Sequence, residues 1–189
     1  MEKKFELTEN YVVNESETKL YQIKCTKTFK YAKEGELGGY IEKEENLSQE
    51  GDAWVFGNAR VYGNAWVSGD ARVLGNARVL GDARVSDNAW LSGNVRVSDN
   101  ARVSGDAQVC GNAWVCGNAR VLGNAWVFGN ARVSGNARVF GNAWVYGDAQ
   151  VFDDAQVSDN AWVSDNAQVF GNARVYGNAE VSGDAQVCK

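Results

Sequence analysis

Histidine and proline are absent from this chain of 189 residues, and methionine occurs once. Without an imidazole, histidine general-base catalysis and histidine–metal coordination are excluded. No apolar run approaches the roughly 18 residues of a membrane span. The first ten residues lack the apolar core of a signal peptide, so the expected setting is the cytoplasm. Threonine disappears after Thr28, which removes the flat threonine arrays of ice-binding surfaces. Cysteine is scarce: Cys25, Cys110, Cys116 and Cys188 show no metal-motif spacing, and reduced thiols are expected. Basic charge is in deficit as well, with 19 basic against 24 acidic groups. The length allows one or two domains.

What the chain does have is a repeat. From Gly51 to Cys188 it runs as 23 consecutive hexapeptides with the consensus Gly-Asn-Ala-Arg-Val-Ser. Slot one is Gly or Asp, and slot two is Asn or Asp. Slot three is Ala except at Val95, and slot five is Val except at Leu91. Slot four is Arg, Trp, Gln or Glu, and slot six is Ser, Phe, Tyr, Leu or Cys. Slots three to six therefore alternate with period two, which predicts a four-residue strand with Ala and Val on one face. Slots one and two are the corner, where Gly and Asn accept left-handed backbone at small steric cost.

A two-residue hairpin at each Gly-Asn is the competing arrangement. It would set Tyr62 beside Ala65 on one face and move Val to the opposite face from strand to strand, leaving no single apolar side. If each corner instead turns the chain by about a third of a revolution, three hexads close a coil of 18 residues. All Ala and Val then face one axis, and parallel strands stack about 4.8 Å apart.

These repeats resemble the hexapeptide-repeat, left-handed parallel β-helix superfamily. That resemblance implies an all-β, left-handed triangular prism of about eight coils. Upstream, Leu20 to Lys24, Gly35 to Glu42 and Asn46-Leu47-Ser48, followed by Gly51-Asp52-Ala53-Trp54-Val55, resemble the entry segment of the YdcK-like bacterial and phage β-solenoids. What this narrower resemblance implies is a fold; it carries no agreed activity. Residues 1–44 are read as a capping segment with short strands and 45–189 as the solenoid. Glu45 to Glu50 is read as a degenerate hexad, with Asn46 in the turn slot and Leu47 facing inward. The prism should be about 38 Å long at roughly 4.8 Å per coil.

Every Arg and every Trp occupies slot four, so 18-residue steps sort them onto three flat faces. Face one carries Trp54, Trp90, Trp126, Trp144 and Trp162, which is five of the seven tryptophans, with Phe128 and Tyr146 in the neighbouring slot six. The strip is either an aromatic ladder that holds coils together or a protein-contact surface. Face three stacks Arg84, Arg102, Arg120 and Arg138 in consecutive coils, a like-charge arrangement that should cost stability. Corner carboxylates such as Asp82, Asp99 and Asp106, together with solvent, are the favoured compensation, and an anionic ligand or acidic partner is the alternative. Residues 51–189 hold eleven basic and thirteen acidic groups, which argues against nucleic acid.

No cofactor or metal site is expected. Stacked corner residues such as Asn112, Asn130 and Asp148 lack the glycine and carboxylate pattern of calcium-binding repeats. Asp153 and Asp154 are adjacent in a turn, without acid–base spacing. Acyltransferases and carbonic anhydrases of the resembled superfamily use histidines on loops extruded between coils, and this chain has neither. Cys110, Cys116 and Cys188 sit in the slot that Ser fills elsewhere, with no base beside them. The expected protein is thus a non-enzymatic scaffold, with an anion-binding module as the alternative and a transferase relic behind both. The final coil, with Ala185, Val187 and Cys188, is expected to dock onto a second copy as a homodimer.

Overall fold

The structure, a computed structural model, describes residues 3–189, and these contain no α-helix, hence none long and apolar enough to cross a membrane. The chain opens with β1 (Phe5–Val13), β2 (Lys19–Cys25) and β3 (Leu37–Ile41), joined antiparallel. A 3-10 turn at Glu44–Asn46 leads to one short strand per hexad, from β4 (Trp54–Val55) to β26 (Gln186–Cys188). Those strands stack in parallel as three sheets, each strand pairing with the one 18 residues on, in about eight turns. The core is a column of Ala and Val, almost all fully buried.

Most strands are two residues long, not four, because only slots four and five enter the ladder. In many hexads the slot-three N–H turns back to the slot-six carbonyl before it, as Ala101 does to Ser98 (3.2 Å). Slots two, four and six instead donate to the next coil: Asn112 to Gly129, Trp114 to Ala131 and Cys116 to Val133, at 2.7, 2.9 and 3.0 Å. The left-handed residue of each corner is slot one and not the Asn of slot two. Where slot one is not Gly it is Asp, at Asp87, Asp99, Asp153, Asp159 and Asp165, with φ near +60°. Each of these carboxylates accepts the N–H of the slot-one glycine one coil on, as Asp99 does from Gly117 (3.0 Å). That bond offsets the steric cost of the left-handed backbone. The Asn residues form amide ladders along the corners, such as Asn76 to Asn94 to Asn112 to Asn130.

At the N-terminal end side chains replace the missing coil. Lys4 Nζ donates to the carbonyls of Gly51 and Ala53 (3.2 and 2.9 Å), and Asn46 Nδ2 donates to those of Gly63 and Ala65 (3.1 and 2.8 Å). These slot-one and slot-three oxygens are the ones that backbone N–H groups satisfy in interior coils. On the remaining face β3 pairs in parallel with β5 (Arg60–Val61), so coil-type pairing already starts at Tyr40. Gly39 is required there, since a Cβ would lie 2.7 Å from the Ala59 carbonyl oxygen. Leu47 does face inward, but the register read from sequence is wrong by two residues. It pairs with Val67, and Ser48 N–H reaches Val67 O (2.9 Å), so Leu47 occupies slot five and Asn46 slot four. Gln49 and Glu50 are an insertion. The Gln49 side chain clasps β1 through the N–H groups of Lys4 and Phe5 and the carbonyl of Phe5.

Candidate functional site

The face-one sheet positions the tryptophans by its 18-residue register, and the structure separates them into three environments. Trp54 is fully buried, edge-on to Phe29 and Phe5 at ring distances of 5.4 and 6.4 Å. It joins the cap to the first coil and is removed from the contact strip. Its slot is outward in every other hexad; Phe5 and Phe29, which cover it, lie outside the repeat and gave no periodic signal. Trp90 is exposed and stands apart, since Gln108 separates it from Trp126. The Arg72 guanidinium lies over Trp90 at 4.9 Å and over Tyr31 at 5.1 Å, a cation–π sandwich that ties the cap to this face.

Trp126, Trp144 and Trp162 form a continuous stack with centroids 5.1 and 5.4 Å apart and planes 6° and 16° from parallel. Phe128 and Tyr146 stack beside them at 5.0 Å, and Phe128 meets the edges of Trp126 and Trp144 at 6.5 and 6.0 Å. Stacking covers the faces of Trp144 on both sides, and only Trp162 is counted as exposed in this cluster. The rings of neighbouring coils thus cover one another's faces, and their outer edges form an apolar wall along this side of the prism.

Face three presents Arg84, Arg102, Arg120 and Arg138 in unbroken register, all exposed. Corner carboxylates do not pair directly with this ladder. Among the described residues no carboxylate oxygen lies within 4.0 Å of these guanidiniums. Corner acids have other partners: Asp82 accepts from Asn64, Asp106 from Asn88, and Asp99 from Gly117.

On face two the hairpin between β1 and β2 brings Asn14, Glu15 and Ser16 beside Arg60, Arg78 and Arg96, lining a small cavity with Tyr62 and Leu80. The Glu15 carboxylate accepts from Arg78 at 2.9 Å. That hydrogen bond and the Arg78 charge, aided by Arg96 and Arg60, hold its pKa below the ordinary carboxylate range. The sequence reading missed Glu15, because nothing in residues 1–44 indicates which coil the hairpin reaches. Farther along, Trp114 lies between Arg96 and Arg132, at 5.6 and 5.1 Å.

Burial disfavours the thiolate form of three of the four cysteines. Burial pushes the pKa of Cys110, Cys116 and Cys25 up, and the Cys25 S–H donates to the Lys27 carbonyl (2.9 Å). Among the described residues no group of three acidic or thiol side chains is arranged to hold a metal ion. On the final coil Ala185 and Cys188 are exposed and Val187 is half-buried.

Against known families, the model described as YdcK Beta solenoid repeat matches residues 53–69, 95–111, 113–129, 131–147, 155–169, 167–183 and 173–189, together just over half of the chain. No curated protein matches. Among solved structures, a hexapeptide transferase family protein from Anaplasma phagocytophilum is similar at 12% identity and a TM-score of 0.35, over 61% of this chain and 74% of that one.

Proposed function

We propose, from the premise that this chain belongs to the YdcK β-solenoid repeat family, that it works as a non-enzymatic, rigid scaffold for protein contacts. The observation that carries this reading is the uninterrupted register. From β4 to β26 every hexad pairs with the hexad 18 residues on, and no loop leaves the prism to build a pocket between coils. The apolar wall of Trp126, Trp144, Trp162, Phe128 and Tyr146, with Trp90 nearby, is the contact face. Tryptophan suits it, being enriched among the residues that dominate interface energies. The cytoplasm, where its free thiols stay reduced, is the compartment that fits this reading. A screen of acyl-CoA donors against amine and hydroxyl acceptors tests the non-enzymatic part; turnover above background would overturn it.

A second reading is favoured by one observation, the unpaired ladder of Arg84, Arg102, Arg120 and Arg138. Four like charges in adjacent strands, none in a salt bridge among the described residues, fit an acidic partner laid along the prism. Poly-glutamate binding at low salt, lost in an Arg102→Glu, Arg120→Glu variant, supports this reading. Equal binding by variant and parent rejects it.

A further inference from the structure

We propose that the cavity between the β1–β2 hairpin and face two is a binding site for a phosphate group, and that the Glu15 carboxylate is the group a phosphate displaces there. The strands β5, β8 (Arg78–Val79) and β11 (Arg96–Val97) pair in consecutive coils, so Arg60, Arg78 and Arg96 stand in register. Asn14, Glu15 and Ser16 close over them, and Tyr62 and Leu80 complete the lining of a cavity of about 100 Å³. The three arginines are half-buried there, whereas Arg84, Arg102, Arg120 and Arg138 on face three stand exposed. The hairpin tip is held in shape by Asn14. Its Oδ1 accepts the N–H groups of Ser16 and Thr18, both at 2.9 Å, and its own N–H donates to the Thr18 carbonyl (3.0 Å). Glu15 and Ser16 are exposed and form the rim of the cavity.

Charge decides what the cavity takes. Its lining sets three guanidiniums against one carboxylate, and among the described residues only Arg78 of the three is in a salt bridge, with Glu15 at 2.9 Å. Like charges on neighbouring strands repel, and a single negative charge leaves most of that repulsion in place. A phosphate group carries about −1.5 to −2 at neutral pH and offers three acceptor oxygens, so it balances what Glu15 does not. The forked N–H groups of a guanidinium also match phosphate oxygens in geometry. Glu15 marks where the oxyanion sits: its carboxylate rests on the central arginine, and the charges of Arg96 and Arg60 reach it as well. Its side chain is 83% exposed, so solvent screens the bond to Arg78 and the carboxylate is readily exchanged. A phosphate in its place lies between Arg60 and Arg96, and Ser16 and Tyr62 in the same lining carry hydroxyl donors. The exposed rim leaves room for the rest of a phosphomonoester to extend into solvent. This site is separate from the face-three ladder and does not rest on the scaffold reading.

Isothermal titration calorimetry of the intact chain with inorganic phosphate and with O-phosphoserine, at fixed ionic strength, tests the site. One phosphate group should bind per chain. Arg78→Gln and Arg96→Gln should each weaken binding by at least about tenfold, the scale of one charge-assisted hydrogen bond. Glu15→Gln should tighten it several-fold, because the competing carboxylate is gone while Asn14 still shapes the hairpin. Arg102→Gln on face three should leave it unchanged. None of these side chains enters the Ala and Val core, so circular dichroism should not change. Tighter binding of O-phosphoserine identifies a phosphomonoester as the ligand, and equal or weaker binding identifies the bare ion. No saturable binding at millimolar phosphate, equal binding by Arg78→Gln and parent, weaker binding by Glu15→Gln, or a loss in Arg102→Gln as large as in Arg78→Gln would each overturn the proposal.

Discussion

Asp99 illustrates how a single side chain can compensate for a backbone that does not suit it. Its φ of 61° lies in the left-handed region, where a Cβ is unfavourable, and its carboxylate accepts the Gly117 N–H one coil on. Replacing it by Ala keeps the Cβ and loses the bond, for an expected loss of about 1–2 kcal/mol. Asp99→Gly removes both the strain and the bond and should stay within about 0.5 kcal/mol of the parent. Urea denaturation of the two variants checks the order. Lys4 gives a pH-dependent counterpart. Burial lowers its pKa from 10.5 to about 8, opposed by the charges of Asp52, Cys25 and Asp70 and reinforced by Lys27. Between pH 8 and 10.5 the folded chain has released this proton while the unfolded chain still holds it. Stability from this group therefore rises with pH across that window, by on the order of 2 kcal/mol, and is lost as pH falls through 8. The difference between parent and Lys4→Met, measured by urea midpoint at pH 7.5 and pH 10, should carry that slope.

At the scale of the element, the strand is defined by the coil beside it and hardly at all by itself, since two residues could not hold an isolated strand. This explains which parts of the architecture are legible in the sequence. The hexad repeats Ala and Val in the same slots, so the inward face follows from periodicity, and the coil length and parallel sheets follow once each corner turns the chain by about a third of a revolution. The cap has no period. That Trp54 lies beneath Phe5 and Phe29, that Asn46 and Lys4 stand in for a coil, and that Glu15 reaches Arg78 are long-range contacts with no local signature. The misplaced register at Leu47 has the same origin: Asn resembles a turn residue in sequence, yet its amide here serves as a pair of donors. The candidate surface is legible as residue identity and not as energetics. The sequence places Trp126, Trp144 and Trp162 on one face, while their mutual coverage depends on ring orientation. Replacing all three by Gln should leave the β-sheet circular dichroism spectrum intact, because the backbone ladder remains. Losing two ring stacks, at about 0.5–1.5 kcal/mol each, should lower the urea midpoint. Loss of the spectrum itself would make the ladder a condition of folding and end its candidacy as a contact face.

The whole molecule behaves as a one-dimensional stack, in which each coil touches only its neighbours and stability accumulates along the axis. Because all hexads present the same inward slots, the core should tolerate removal of a whole coil, while the outward ladders depend on which coil is removed. Deleting Gly105 to Leu122 joins Ser104 to Gly123 and keeps every later hexad on its original face. It removes Gln108, which separates the tryptophans, so Trp90 should then stack directly on Trp126 and extend the ladder to four rings. It also removes Trp114 from between Arg96 and Arg132, setting two guanidiniums in adjacent strands. The expected outcome is a folded chain whose denaturant m-value falls by about a tenth, in proportion to the chain removed. Tryptophan fluorescence should report the new ring contact. Deleting nine residues, 105–113, instead shifts the period by half a hexad and turns the later Ala and Val outward on every strand. That variant should lose the cooperative transition. If it unfolded as cooperatively as the 18-residue deletion, the inward alternation of Ala and Val would not be what specifies the stack.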